Sequence, residues 1–453
     1  MSTEASYKKF SKPPTKASHM KRIFLPLLFA MMAIAALIVY QRTSQKNNEL
    51  TATSSHSQKI SLFHYFSGAL SGGIDNMVET VNAKSPGYTV LANGLDHEAF
   101  KTMILSSLDR GNPPELFSYW AGERVRQLVL KNQLMEIDDL WERENLSAQF
   151  PPAIVESAVT YNGKKYLLPI TQHIVVFFYN TQIFTAHGLS PPQSWPEFLA
   201  ICAQLKSSGI TPLAIGARER WPAQFWFDYL LLRTAGPDYR KLLMEGKQSY
   251  TDPQVMESFR IWSELLQNGY FNGNANQLDW DEATALVREG KAAMTLMGTW
   301  ATQILEGQSP GLEAGKDYDF FPFPTVAENV PRVSVGPIDG IIISRASENH
   351  DFAKNVLAYF AGTEAQKLMS TGSGALAPNQ TVSDNFYSPF KLRLKQEIEH
   401  SERWAFNFDL ATPPEIADRA MDSFNELIEF PGQYLQILSD LQTEIAPSAE
   451  EGK

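Results

Sequence analysis

Apolar and polar positions along the chain follow a β-α-β-α-β rhythm from residue 59 onward. KISLFHYF has the mixed apolar and aromatic character of a buried strand, closed by SGALSGG. In IDNMVETVNAK, residues Ile74, Met77, Val78 and Val81 share one helical face, and Ser85-Pro86-Gly87 ends the helix. YTVLANG reads as the next strand. HEAFKTMILSSLDRG reads as a helix with Phe100, Met103, Ile104 and Leu108 on one side. PPELFSYW is then a strand that leaves Tyr119 and Trp120 at its C-terminal end. The alternation predicts a parallel, doubly wound α/β sheet.

The pattern then changes. KKYLLPITQHIVVFFYN is long for one strand and contains Pro169, which reads as a strand interrupted there on its way from one lobe to another. The stretch from Trp221 onward is apolar on nearly every face, so its helix should be buried. A helix within Thr251–Tyr270 is entered through Asp252-Pro253, with proline in the first turn. LDWDEATALVREG is a further helix with acids at its start and Ala283, Leu286 and Val287 on one face. GKAAMTLMGTW is a strand that ends in a tryptophan, Trp300. VSVGPIDGIIIS is a strand pair broken at Gly336-Pro337, HDFAKNVLAYFAG a helix, and TGSGALAPN a glycine-rich crossing. The remainder is mainly helical, and no internal repeat is visible.

At 453 residues the chain exceeds what a single core usually supports, so two lobes are expected. An apolar fraction of 43% and a charged fraction of 20% are those of a globular protein. The net charge of −11 opposes polyanion binding, so nucleic acid is not an expected partner. Cys202 is the only cysteine, which excludes an intrachain disulfide and Cys-based metal sites and reads as a small buried hydrophobe. No metal or cofactor is expected. HEAFK lacks the second histidine of a zinc protease motif, and GxxxxGK[ST], GxGxxG and GxSxG do not occur.

The N-terminus carries an address. Residues 1–22 hold Lys8, Lys9, Lys12, Lys16, Lys21 and Arg22, followed by 18 uncharged residues from Ile23 to Tyr40. The length borders a signal sequence and a short membrane span, and the basic flank places the N-terminus in the cytoplasm. No small-x-small site follows, which favours an uncleaved signal anchor at 23–40; Met20 as the true start would make MKRIFLPLL an ordinary signal sequence. Residues 41–58 are polar and suit a solvated linker.

PPELFSYWAGERVRQLVLKNQLMEIDDL, GKKYLLPITQHIVVFFYNTQIF, SPPQSWPEFLAICAQL, REGKAAMTLMGTW and FNFDLATPPEIADRAMDSF, in this order and spacing, resemble the extracellular solute-binding proteins of ABC transporters. The similarity is to the carbohydrate branch that includes maltose-binding protein, from about Lys59 to Ala446. The resemblance implies a two-lobe periplasmic-binding-protein fold (type II-like) with ligand between the lobes. Lobe I would be 59–171 plus 338–373, and lobe II 172–337 plus 374–446. The implied function is capture of a sugar or oligosaccharide, as a monomer, and delivery to ABC permease subunits at the outer face of the membrane. A tethered ligand-sensing module and, further off, a paired-carboxylate glycoside hydrolase are the rival readings.

A sugar needs aromatic platforms for its C–H faces and planar polar groups for its hydroxyls, and in open α/β sheets the ligand lies beyond the strands' carboxyl ends. Trp300 follows such a strand and matches the family's Gly-x-Trp, a stacking position. Tyr119 and Trp120 end another strand, with core packing as the alternative. Trp221 lies in a loop before the buried helix, and Gln172 and His173 lie at the first crossing. Asp339 in GPIDG and Asp409 in NFDLATPP sit in polar breaks between apolar elements. Asp279 is a further candidate or a helix cap, and the family often uses the loop of Ser67 and Gly68. Thr299 stands where some glucose-binding members carry an aspartate, so their selectivity does not transfer.

Overall fold

The strands sort into two main sheets in the computed structural model, which describes residues 58–85, 87–307 and 311–451. The first sheet runs Tyr88–Gly94, Gln58–His64, Leu116–Trp120, Ile338–Ile343, Leu167–Gln172. The second runs Tyr318–Phe321, Val175–Asn180, Ala292–Gly298, Thr211–Ala214.

Neither sheet is purely parallel, which corrects the doubly wound expectation. Gln58–His64 and Leu116–Trp120 are parallel, but Ile338–Ile343 is inserted antiparallel between Leu116–Trp120 and Leu167–Gln172. That strand arrives from the far side through Gly336-Pro337 instead of a helical crossover, so nothing obliges it to run parallel. In the second sheet Ala292–Gly298 pairs antiparallel with Val175–Asn180 and parallel with Thr211–Ala214.

The long apolar run also breaks elsewhere than expected. Leu167–Gln172 belongs to the first sheet and Val175–Asn180 to the second, so the division falls at His173-Ile174 and not at Pro169. Pro169 lies inside an edge strand, where a missing N–H leaves the outer side unpaired at no cost to the ladder. Val333–Val335 and Ile338–Ile343 are also separate, the former pairing with Arg403–Ala405 in a small sheet of its own, and between them Gly336 passes the His173 carbonyl too closely for any side chain. A Cβ there would lie 1.9 Å from that oxygen.

Each sheet has its own core. The first packs Ile60, Leu62, Phe117 and Ile341 against Ile74, Met77, Phe100 and Leu357 of its flanking helices. The second is more aromatic, with Phe177, Phe178, Phe225, Trp226 and Phe321 in one cluster. Helix Gln224–Thr234 contacts the second sheet, helix Pro253–Gln267 and helix Pro414–Glu429, which explains why it is apolar all round. Its one buried acid, Asp228, pairs with Arg240 at 2.7 Å and accepts the Phe408 N–H.

The basic segment 1–22, the apolar run 23–40 and all of the linker but Gln58 lie outside the described residues. Among those described, no helix is long and apolar enough to cross a membrane.

Candidate functional site

The two sheets turn the same kind of edge toward one cavity of about 290 Å³. In the first sheet, Gln58–His64 and Leu116–Trp120 end there, and the antiparallel Ile338–Ile343 begins there. Asp339 is thereby set opposite Trp120 on one side and Thr171 on the other. In the second sheet, Ala292–Gly298 ends at the cavity while Val175 begins opposite Gly298. Residues just beyond strand ends thus form the walls, as expected for open α/β sheets.

Of the residues expected from the sequence, Ser67, Gly68, Trp120, His173, Trp221, Asp279, Trp300, Asp339 and Asp409 line this cavity. Tyr119 and Gln172 do not. Tyr119 points to the opposite face from Trp120, as adjacent strand residues must, and packs edge-on against Phe117 at 5.8 Å. Gln172 is held by its backbone, which exchanges two 2.9 Å hydrogen bonds with Leu376 and ties two crossings together.

Aromatic rings make the walls. Trp120 stacks on Tyr65 at 4.0 Å, and His97 meets Trp120 edge-on at 4.9 Å. From the other side, Trp221 and Trp300 meet at 5.9 Å, and Trp221 reaches within 5.8 Å of His97. Trp300 is 8% exposed, so it both packs and presents a face to the cavity. Gly298 makes that possible, since the indole ring lies where a Cβ would be. The Trp221 indole N–H donates to Glu219 at 2.9 Å, leaving its ring fixed.

Polar groups are placed at the floor and the back. Asp339 is 3% exposed. Its Oδ2 accepts from Thr171 Oγ1 at 2.6 Å and lies 3.7 Å from His173 Nε2. Its Oδ1 lacks a well-formed hydrogen bond, although the Tyr65 hydroxyl lies close enough to help hold the charge. Burial pushes its pKa up to about 6, against the stabilising pull of Thr171 and Tyr65. His173 is driven down to about 3 by burial, so it stays neutral; its Nδ1 shares a 2.8 Å hydrogen bond with Thr299 Oγ1. On the back wall, Arg124 Nη2 donates to Asp409 Oδ2 at 3.3 Å and the Asp409 N–H donates to Gln224 at 2.8 Å. Asp409 Oδ1 and the neighbouring Asn407 Oδ1 accept no hydrogen bond.

Asp279 lines the cavity with its carboxylate already engaged. It caps helix Trp280–Arg288 and takes a bidentate bond from Arg218, which realises the capping alternative.

At the mouth, ligand atoms of His97, Glu98 and Glu219 lie within 4.8 Å of one another. Lys101 Nζ donates to Glu98 at 2.7 Å, so an ammonium group already occupies the charge-balancing place there. Burial raises the Glu219 pKa against the pull of the Trp221 indole N–H, and the neighbouring carboxylates Asp279, Glu98 and Asp96 add to the rise.

The chain matches the bacterial extracellular solute-binding protein family over residues 69–367. It belongs to that family. It is 27% identical to an ABC transporter extracellular-binding protein of Pyrococcus horikoshii, over 87% of this chain and 85% of that one. The bacterial solute receptor AcbH, which has an exclusive substrate preference for β-D-galactopyranose, superposes with a TM-score of 0.80 at 25% identity. A chitin oligosaccharide binding protein superposes with 0.78, also at 25% identity. Each covers 87% of this chain and 100% of its own. The two sheets therefore belong to the two-lobe α/β fold of these solute-binding proteins. Family location is extracytoplasmic, and the relatives serve ABC transporters.

Several wall residues of this solute-binding protein escape sequence reasoning: Tyr65, Asp96, His97, Glu219, Trp280 and Asn407. Asp96 had a signal, because it precedes an amphipathic helix and caps it through the Glu98 and Ala99 N–H groups. Tyr65 belonged to the apolar run of the first strand and lies one residue past its end. The rest come from loops whose approach to the cavity depends on how the two sheets face each other.

Proposed function

We propose that the protein captures a sugar or short oligosaccharide in this cavity and passes it to an ABC permease on the outer side of the membrane. The observation that carries the reading is the wall itself. Four large aromatic rings (Tyr65, Trp120, Trp221, Trp300) stand around buried acceptors at the strand ends of both sheets. Flat apolar faces beside hydrogen-bonding groups suit a pyranose ring.

In this reading the lobes are 59–171 plus 338–373 and 172–337 plus 374–446, joined at His173, Gly336-Pro337 and the 371–378 crossing. Trp120 and Tyr65 come from one lobe, Trp221 and Trp300 from the other. A ligand touching both favours the closed state by its extra contacts, and that differential affinity drives closure. Residues 23–40 serve as the signal anchor and 41–58 as the tether. Ser67, Gly68, Trp120, His173, Trp221, Trp300, Asp339 and Asp409 are the ligand-facing set, with Asp279 holding Arg218 in place behind it.

The test is a thermal-shift and calorimetric screen of the soluble part, residues 41–453, against mono- and oligosaccharides. A sugar that binds only the folded state raises the midpoint with concentration. No shift with any sugar, alongside a shift with phosphorylated or peptide ligands, would reject the carbohydrate reading.

A further inference from the structure

The cavity's charges are unevenly matched. Six carboxylates line it (Asp96, Glu219, Asp279, Asp281, Asp339 and Asp409), against a single lysine, Lys101. That lysine is bound to Glu98 at 2.7 Å. Asp279 is paired with Arg218 and Asp409 with Arg124. Asp339 has no such partner. It is the most deeply placed of the acids and makes no salt bridge to lysine or arginine among the described residues. The imidazole beside it is neutral, and the Tyr65 hydroxyl brings no charge.

A buried carboxylate without a cation is costly, and such a group persists where something else supplies the missing charge. The unsatisfied atoms say what that something offers. Asp339 Oδ1, Asn407 Oδ1 and Asp409 Oδ1 are buried acceptors without a well-formed hydrogen bond, and the other unsatisfied side-chain group lining the cavity is the uncharged Tyr65 hydroxyl beside Asp339. A sugar hydroxyl brings one donor together with lone pairs of its own, whereas an ammonium group brings three donors and no acceptor. The ring faces of Trp221 and Trp300 attract a cation as readily as a C–H face, and the Lys101 ammonium already lies 5.7 Å from the Trp120 ring.

We propose that the preferred ligand is a sugar bearing a free, protonated amine, with its ammonium group against Asp339. The proposal rests on the sugar-binding reading and narrows it. The ring lies against the tryptophans, the nitrogen replaces the cation that Asp339 lacks, and anionic sugars are repelled by the remaining acids.

Matched congeners test it. Titration calorimetry compares glucose, glucosamine and N-acetylglucosamine, then galactose with its amine and N-acetyl forms, then chitosan with chitin oligomers, at a pH that keeps the amine charged. At least one free amine should bind about tenfold or more tightly than both its hydroxyl and N-acetyl congeners, the value of one charge-assisted hydrogen bond. In Asp339→Asn that ratio should fall toward one. If in every series a hydroxyl or N-acetyl congener binds wild-type protein as tightly as its amine, the proposal is overturned and sugar binding is left standing. An Asp339→Asn protein that keeps the full preference would overturn it too. Absence of binding by every sugar, with spermidine binding instead, would remove the sugar reading itself.

Discussion

Asp228 and Asp339 are both buried aspartates at the heart of this molecule, and they are treated in opposite ways. Asp228 sits in the helical core of the second sheet, where Arg240 binds it at 2.7 Å and the Phe408 N–H at 2.6 Å. Asp339 sits at the floor of the cavity with the Thr171 and Tyr65 hydroxyls, a neutral histidine and no lysine or arginine partner among the described residues. Burial raises the pKa of each, as the largest cause in both cases, but only Asp228 has an arginine pulling the other way. The difference is one of partners. Asp228 comes with its counter-charge, and Asp339 is left without a lysine or arginine partner among the described residues.

The largest effect should come from breaking the compensated side. In Arg240→Ala, Asp228 keeps its burial and loses its cation, and the Phe406 carbonyl loses a 2.7 Å donor. Removal of one partner from a buried pair costs about 3–5 kcal/mol. Denaturant unfolding of the ligand-free protein should report that loss. A change below about 1 kcal/mol would show that Asp228 tolerates isolation, and the contrast with Asp339 would then mean little.

Next comes the wall. Trp300→Ala removes a ring that lines the cavity and packs edge-on to His173 at 5.1 Å and to Trp221 at 5.9 Å. Loss of a stacked aromatic should weaken sugar binding by about 10- to 100-fold, or roughly 1.4–2.8 kcal/mol. Unchanged affinity in a well-folded variant would reduce Trp300 to a packing residue and move the site toward Trp120 and Tyr65.

Much of this site is legible in the sequence because strand ends are legible. Trp120, Trp300 and Asp339 stand where an apolar strand stops or starts, and that is where the cavity lies. Tyr119 shows the limit of that reasoning. Neighbouring strand residues face opposite ways, and choosing between Tyr119 and Trp120 requires knowing which face the core takes. Pairing over long separations was not legible either. The antiparallel entry of Ile338–Ile343 depends on a crossing that begins in the small sheet of Val333–Val335 and Arg403–Ala405, and Arg124 meets Asp409 across 285 residues. His97 and Glu219 converge only because the two sheets face each other, which no local pattern encodes.

A smaller effect should appear on the uncompensated side, with opposite sign. The Asp339 pKa lies at about 6 in the folded protein against an ordinary value of 3.8. Between these values the folded state holds the proton that the unfolded chain has released, so stability falls as pH rises through that window. Asp339→Asn removes this slope. The ligand-free variant should be more stable than wild type by about 1–2 kcal/mol at pH 7.5, with the difference closing toward pH 4.5. Parallel stability curves across that range would show that Asp339 is compensated after all.

The smallest effect concerns the residue between the two sheets. His173 shares a hydrogen bond with Thr299 through Nδ1 and turns Nε2 toward Asp339. A hydroxyl donating to Nδ1 keeps the ring proton on Nε2, which directs the ring N–H toward the carboxylate. Thr299→Val keeps the shape and removes that hydroxyl, so the cost should be about 1 kcal/mol, one neutral hydrogen bond. Nitrogen chemical shifts of the imidazole provide the sharper readout. Wild type should show the Nε2–H tautomer and the variant a shift toward the other, with a further rise in the Asp339 pKa. If the tautomer is unchanged, Asp339 itself sets it, and the carboxylate's field, weak as its partners are, dominates the junction.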